Sequence, residues 1–387
     1  MGKTMGITKG LNCQNVFIFL FLAVFPFGQV IRIGNLQPLD LIVGLAALYT
    51  VVKKLAPPKA YRYLGAFLLF ALSSWIVSVF IFRQAEVLYG LLYLTRLTAY
   101  YFFGIYVWNY AKKRKDGKKL LTDSLLAVSV VSAILGWIQY FTVPDIKPFF
   151  SAGWDMHLFR LVGTFLDPTF LGLVIVFGLL ASLVRLLETK SKKNLATFLF
   201  LLVSLAFTYS RASYLALLAG LIVIALHKNI LKKIMIFVVI LTPLLLLLPT
   251  SRNHSIELFR TFSAVAKIEN YKTTLQIFSE SPIFGVGYNN MCIAYQKYIG
   301  VQPFTSHACS GSDSSLLFIL TTTGIAGFMA FVSSIGKIIK SLQKSSYLIL
   351  LTSASAALLV HSLFSNSMFY PWIMGYMVIL LTLNLRE

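Results

Sequence analysis

The sequence predicts an all-α, polytopic integral membrane protein with about 12 transmembrane helices. Three observations carry this prediction. Of 387 residues, 58% are hydrophobic and 12% charged, with a mean hydropathy of +0.79. A soluble domain carries about 25% charged and 45–50% apolar residues. Apolar stretches recur at about the length of roughly 20 residues that a spanning helix needs. Basic residues collect in alternate connections. The composition excludes a water-soluble globule and a disordered chain. The runs are continuous, whereas a transmembrane β-barrel shows alternating segments of about ten residues.

The stretches fall at 15–31, 37–52, 64–82, 88–109, 121–143, 166–187, 195–209, 212–227, 231–249, 314–336, 347–364 and 368–385. The first follows Lys3 and Lys9, shows no small-residue cleavage site and leads into Pro26 and further spans. It reads as a retained helix, not a cleaved signal. With both termini cytoplasmic, every short inside connection is basic. These hold Lys53, Lys54, Lys59 and Arg62; Lys112, Lys113, Arg114, Lys115, Lys118 and Lys119; Arg185, Lys190, Lys192 and Lys193; Lys228, Lys232 and Lys233; and Lys337, Lys340 and Lys344. Short outside connections carry at most one basic residue each. This is the positive-inside pattern. The net charge of +21 therefore reports orientation, and no nucleic-acid partner is expected. Acidic residues lie mostly on the outer side, which is where function is sought.

One connection is far longer than the rest. Residues 250–313 form a single extracytoplasmic loop between spans nine and ten, and loops beyond about 12–15 residues are usually functional or disordered. Within it, Phe262, Val265, Ile268, Tyr271, Leu275 and Phe278 recur at helical spacing, predicting an amphipathic helix over 256–279. Arg260 and Lys267 project from one side, two turns apart. Ser281-Pro282 ends the helix. The helix either lies on the membrane with its cations near headgroups or packs with a solvated basic side. Gly285-Val286-Gly287 reads as a tight turn, since no strand precedes it as a dinucleotide fingerprint requires. Cys292 and Cys309 share this loop and either pair or stay free. With Cys13 they have no metal-ligand spacing, and no metal or other cofactor is expected.

Several polar residues sit at outer span ends. Ser210-Arg211 occupies a very short turn, so its guanidinium is held in one place; such a planar fork suits phosphate oxygens. Arg160 opens RLVGTFLDPTFLG, and Asp167 there is either its structural partner or a site residue. Arg96 lies within span four and needs a partner, which a buried ion pair supplies. His307 and Asp313 precede span ten, and His is the natural general base near neutral pH. His361 with Ser362, Ser365 and Asn366 reads as interhelical hydrogen bonding.

These pieces together resemble the bacterial O-antigen ligase and O-antigen polymerase superfamily over about residues 20–380. Arg160 with Gly163-Thr164-Phe165 and Pro168 is similar to that family's R-x-x-G-x-F-x-N-P-N, with Asp167 and Thr169 replacing the asparagines. Ser210-Arg211 resembles its S-R at a span end. Tyr271-Lys272 followed by Ser281–Gly287 resembles its Y/W-K and P-x-x-G-x-G segment. Leu316–Gly327 resembles the helix after its H-N-S-Y-L. Asp313-Ser314 falls where the family's His-Asn stands, with His307 six residues earlier.

The resemblance implies a glycosyltransferase of the inner membrane, active on its extracytoplasmic face. The implied donor is a polyprenyl pyrophosphate-linked glycan, and the acceptor another glycan or a lipid A core. Arg211, with Arg160, Arg260 or Lys267, would hold the pyrophosphate. His307 or Asp313 would be the base, in a metal-free transfer. A polymerase is preferred over a ligase, because the His-Asn position is not kept. Membrane lipids, and a chain-length regulator or flippase, are the implied partners. A lipid-linked sugar flippase is the alternative, although the single late loop breaks the two-half symmetry common in transporters. A non-catalytic scaffold would need no outer cluster of cations.

Overall fold

The structure, a computed structural model, describes residues 13–32, 36–82, 85–114, 116–152, 156–248, 262–300 and 311–386. Fourteen α-helices are found among them: α1 Cys13–Val24, α2 Pro38–Val52, α3 Tyr61–Phe82, α4 Leu88–Lys113, α5 Gly117–Thr142, α6 Pro168–Thr189, α7 Lys192–Ala206, α8 Arg211–Lys228, α9 Leu231–Leu246, α10 Phe262–Glu280, α11 Met291–Tyr298, α12 Ser315–Lys340, α13 Ser346–His361 and α14 Pro371–Thr382. Each of the twelve predicted stretches contains a helix. By length and composition, α3, α5, α6, α8 and α12 can cross a membrane; α1, α2, α13 and α14 are apolar but shorter.

Local chemistry sets the ends. Proline occupies the first turn of α2, α6 and α14, where its missing N–H costs nothing. Lys190 and Asn229 adopt left-handed conformations that stop α6 and α8. In the bundle, α6 is buried continuously from Leu171 to Val184, whereas α3 leaves Leu69, Phe70, Ile76 and Phe80 exposed. A helix apolar on all sides is either a core or a lipid-facing element, and these two are the respective cases. Small residues let α6 sit close to its neighbours: a Cβ on Gly172 would lie 2.4 Å from Ser213 Oγ of α8.

Arg96 of α4 has its partner. Its Nε and Nη2 donate to the two carboxylate oxygens of Asp40 at 2.8 and 2.7 Å. Asp40 also accepts from the Gln37 backbone N–H at the start of α2. The pair is nearly buried and bidentate, a geometry that offsets part of the desolvation cost.

The connections gather at two poles. At one, α5 and α6 pair through Asp123 and Arg185, Ser334 donates to the Tyr63 carbonyl, and Gln343 N–H donates to Asn384 O. At the other lie the starts of α6, α8, α12 and α14 and the ends of α7 and α13, bonded to one another as described below.

The main departure from expectation is in α12, read as one continuous span. It breaks at Gly324 (φ 68°, ψ −176°), a region open essentially to glycine alone. The break removes the helical bonds that Ile325 and Ala326 would donate to Thr321 and Thr322. Residues 282–287 replace them. Val286 and Gly287 N–H donate to the carbonyls of Thr321 and Thr322 at 3.0 and 3.1 Å, while Ile325 and Ala326 N–H donate to Pro282 and Ile283 carbonyls at 2.8 and 3.2 Å. Ser74 of α3 adds a bond to Thr322 O at 2.6 Å. Gly285-Val286-Gly287 is therefore more than a turn: it is a backbone clip, and irregular backbone within a membrane protein needs such internal pairing.

Replacing Gly324 with Ala puts a Cβ 2.1 Å from Ile283 O. Gly324→Ala is expected to lower the melting temperature in detergent by the equivalent of about 3 kcal/mol. Gly336→Ala in the same helix, where nothing lies within 4 Å of the added Cβ, should leave it unchanged or raise it.

Candidate active site

Three helices begin at the second pole with a side-chain cap, and the three caps sit in the motifs singled out above. Asp167 Oδ1 accepts from Thr169 and Phe170 N–H at 2.6 and 3.4 Å, capping α6. Ser210 Oγ accepts from Ser213 N–H at 3.3 Å and caps α8, whose first residue is Arg211. Ser314, next to Asp313, caps α12. The Asp-Pro, Ser-Arg and Asp-Ser pairs thus share one local function before any chemistry: satisfying N–H groups that a helix start leaves unpaired.

Arg160 binds the α7–α8 turn. Its Nε donates to Thr208 O at 3.0 Å and its Nη2 to Tyr209 O at 3.1 Å, with Nη1 3.4 Å from His157 Nδ1. It is 3% exposed. The neighbouring Leu161 N–H donates to Phe207 O. Tyr209 takes a left-handed conformation (φ 50°), so the chain reverses just before Ser210-Arg211. The guanidinium braces that reversal, and Arg211, half-buried, emerges from it.

The helix α10 reaches the same pole along α12. Lys267 Nζ donates to Phe364 O at 2.6 Å and lies 3.6 Å from Asp313 Oδ2. Asn270 holds the segment before α12 by donating to Gly311 O and accepting from Asp313 N–H at 2.8 Å. The Tyr271 hydroxyl donates to Leu363 O. Burial, and then the Asp313 carboxylate, push the Tyr271 phenol above its ordinary pKa, so it remains a donor to above pH 10.

The two sides of α10 differ in character. Val265, Ile268 and Leu275 are exposed, and the packed side carries Lys267, Asn270, Tyr271, Thr274 and Ile277. The reason is what α10 meets. The end of α13 offers carbonyls without helical partners, and polar side chains satisfy them where apolar ones cannot. Of the predicted 256–279, residues 256–261 lie outside the described residues.

His361 ends α13 with no exposure. Its Nε2 is 3.4 Å from Ser213 Oγ, and its Nδ1 2.6 Å from Ser367 Oγ. Ser213 Oγ is in turn 2.8 Å from Ser210 Oγ and bonds to Thr169 O. The residues that follow, 362–370, receive most of the pole's contacts. Ser315 N–H donates to Ser362 O, Met368 N–H to Ser315 Oγ, and Gln29 to the Tyr370 hydroxyl. The Tyr370 ring stacks on Phe170 at 3.8 Å. Sequence reasoning treated His361, Ser362, Ser365 and Asn366 as packing; the signal missed was a buried histidine within one helix end of Ser210.

Of the predicted site residues, Arg160, Arg211, Lys267 and Asp313 are brought to this pole. Arg260 and His307 lie outside the described residues, as does Cys309. Cys292 is disulfide-bonded and lies in the first turn of α11, a helix the sequence did not announce. Among the described residues, no group of three or more His, Cys, Asp or Glu could hold a metal ion.

A family model described as O-antigen ligase matches residues 196–332. The match runs from α7 through the Ser210-Arg211 turn, α10 and the clip into α12. It leaves out Arg160 and the 361–370 segment. No curated protein matches the chain.

Lysine in place of Arg160 keeps the charge but not the fork that spans two carbonyls. Arg160→Lys is expected to cost roughly 1.5–3 kcal/mol, the value of one hydrogen bond to a charged group, read as a lower melting temperature in detergent.

Proposed function

From the match of residues 196–332 to a family model described as O-antigen ligase, we propose that this membrane protein is a glycosyltransferase of surface polysaccharide synthesis. It moves a polyprenyl pyrophosphate-linked oligosaccharide on the extracytoplasmic face of the inner membrane, and polymerisation is preferred over ligation. The observation that carries this reading is the meeting of Arg211, Lys267 and Asp313 at one pole. Lys267 is fixed to Phe364 O and Ser213 to His361, so the cation-bearing helices α8 and α10 both anchor to the end of α13.

The chemistry follows from that set. An acceptor hydroxyl attacks the anomeric carbon of the donor. The bond from that carbon to the pyrophosphate oxygen breaks, and its electron pair leaves with the pyrophosphate. Arg211 and Lys267, with Arg260, neutralise the charge of the leaving group. Arg160 adds its charge from beneath the turn. Asp313, which stands where the family has histidine, takes the hydroxyl proton; His307 is the second candidate for that role.

An apolar groove suits the polyprenyl chain. It lies between α7, α8 and α9, has a volume of about 160 Å³, and is lined by Leu205, Leu217, Leu221, Val238 and Leu241. Ala206 and Tyr214 close it toward the Arg211 turn, so a chain in the groove brings its head to the cations. Filling it with Leu241→Trp is expected to raise KM for a long-chain donor about tenfold, or 1.4 kcal/mol, and to leave a short-chain donor unaffected.

The deciding test is transfer in detergent, with a polyprenyl pyrophosphate-linked repeat unit alone and then with a lipid A core. A ladder from the repeat unit alone marks a polymerase, and product only with the core marks a ligase. Asp313→Asn should lose about 100- to 10,000-fold in rate, and Arg211→Ala about 100- to 1,000-fold. Absence of product with donor bound would favour the flippase reading.

A further inference from the structure

We infer that His361 is a positioning residue that sets the separation between Arg211 and Lys267. The inference rests on the reading that these two cations bind a pyrophosphate. Its basis is one imidazole placed between two otherwise separate supports.

On one side, Nε2 faces Ser213 Oγ at 3.4 Å, and Ser213 Oγ is 2.8 Å from Ser210 Oγ. Ser210 caps the helix that begins with Arg211. Ser213 has little room to move: it contacts the backbone of Thr169 and sits against Gly172. On the other side, Nδ1 meets Ser367 Oγ at 2.6 Å. Ser367 belongs to the segment whose Phe364 carbonyl receives Lys267 and whose Leu363 carbonyl receives Tyr271. In a neutral imidazole one ring nitrogen donates and the other accepts. Two hydroxyls, each able to do either, complete the chain in both tautomers.

The imidazole therefore holds α8 and the 362–370 segment at a fixed distance; Arg211 stands on the first, and Lys267 of α10 is anchored to the second. His361 itself is fully buried, so it touches no substrate and acts only through the two supports. Sites of this kind need their groups held to about 0.5 Å, and a misplacement of about 1 Å can cost 100-fold in rate. A buried network with every member paired is the means of such fixation.

The test is calorimetric titration of the full-length protein in detergent with farnesyl pyrophosphate, and with farnesol as the probe lacking pyrophosphate. His361→Leu keeps the volume and removes both hydrogen bonds. It is expected to bind farnesyl pyrophosphate about tenfold more weakly per folded molecule and farnesol equally well. His361→Gln, which retains a donor and an acceptor, should recover most of the loss. In a Lys267→Met background, His361→Leu should add nothing, because the spacing no longer matters. If His361→Leu is too poorly folded, Ser367→Ala removes one link alone and should weaken binding in the same direction by about threefold. Wild-type affinity in His361→Leu or Ser367→Ala, or independent effects of the His361 and Lys267 changes, would overturn the inference. A wild-type protein that binds neither probe differently would instead overturn the pyrophosphate reading on which it rests.

Discussion

The exchange of hydrogen bonds at Gly324 is the constraint on which the rest depends. A spanning helix keeps its backbone paired within itself, and α12 gives up two such pairs. Four bonds from residues 282–287 replace them, using Pro282 and Ile283 as acceptors and Val286 and Gly287 as donors. Neither partner stands without the other. Without the clip, the broken turn would leave buried amides and carbonyls unpaired, each costing about 1–3 kcal/mol. Without the break, the clip would have nothing to pair with. The consequence reaches the site through α10, which runs directly into the clip and is fixed at that end. Its other end must then arrive at Gly311, Asp313 and Phe364, where Asn270 and Lys267 land.

At the active pole, polar groups are placed by the needs of helix ends before any ligand is considered. Asp167, Ser210 and Ser314 cap helix starts, and Lys267 and Tyr271 take up carbonyls beyond the end of α13. The same economy creates a local field. Helix starts carry partial positive charge, and α6, α8 and α12 all begin here, where Arg211 and Lys267 also stand. An anion is the natural guest of such a place, while Asp313, held 3.6 Å from Lys267, supplies an acidic group beside these cations.

Much of this was legible in the sequence, and the remainder has physical reasons for being hidden. The twelve apolar stretches were visible because burial and lipid contact both select the same residues. The helix stop at Ser281-Pro282 was visible because proline restricts its predecessor. Gly324 was not, since Thr-Thr-Thr-Gly inside an apolar run reads as helix until a distant segment is seen to compete for its hydrogen bonds. The polar character of the packed face of α10 was not legible, because periodicity finds the apolar stripe and not what Lys267 and Asn270 will meet. What α10 meets is set by carbonyls just beyond the end of α13, almost a hundred residues later. His361 was passed over for a similar reason: its partners Ser213 and Ser367 lie on two different connections, and spacing along the chain does not join them.

The burial of Arg160 adds a final step. Its guanidinium is spent on the backbone of the turn it braces, so it cannot swing out to a ligand without releasing Tyr209. Its charge nevertheless stays at the turn that carries Arg211 whether or not a substrate is present. A cation fixed in this way costs no reorganisation when negative charge develops above it, and in a site screened from water such fixed charge acts more strongly than in solvent. In the proposed reaction Arg160 serves the pyrophosphate through this fixed charge, without contacting it.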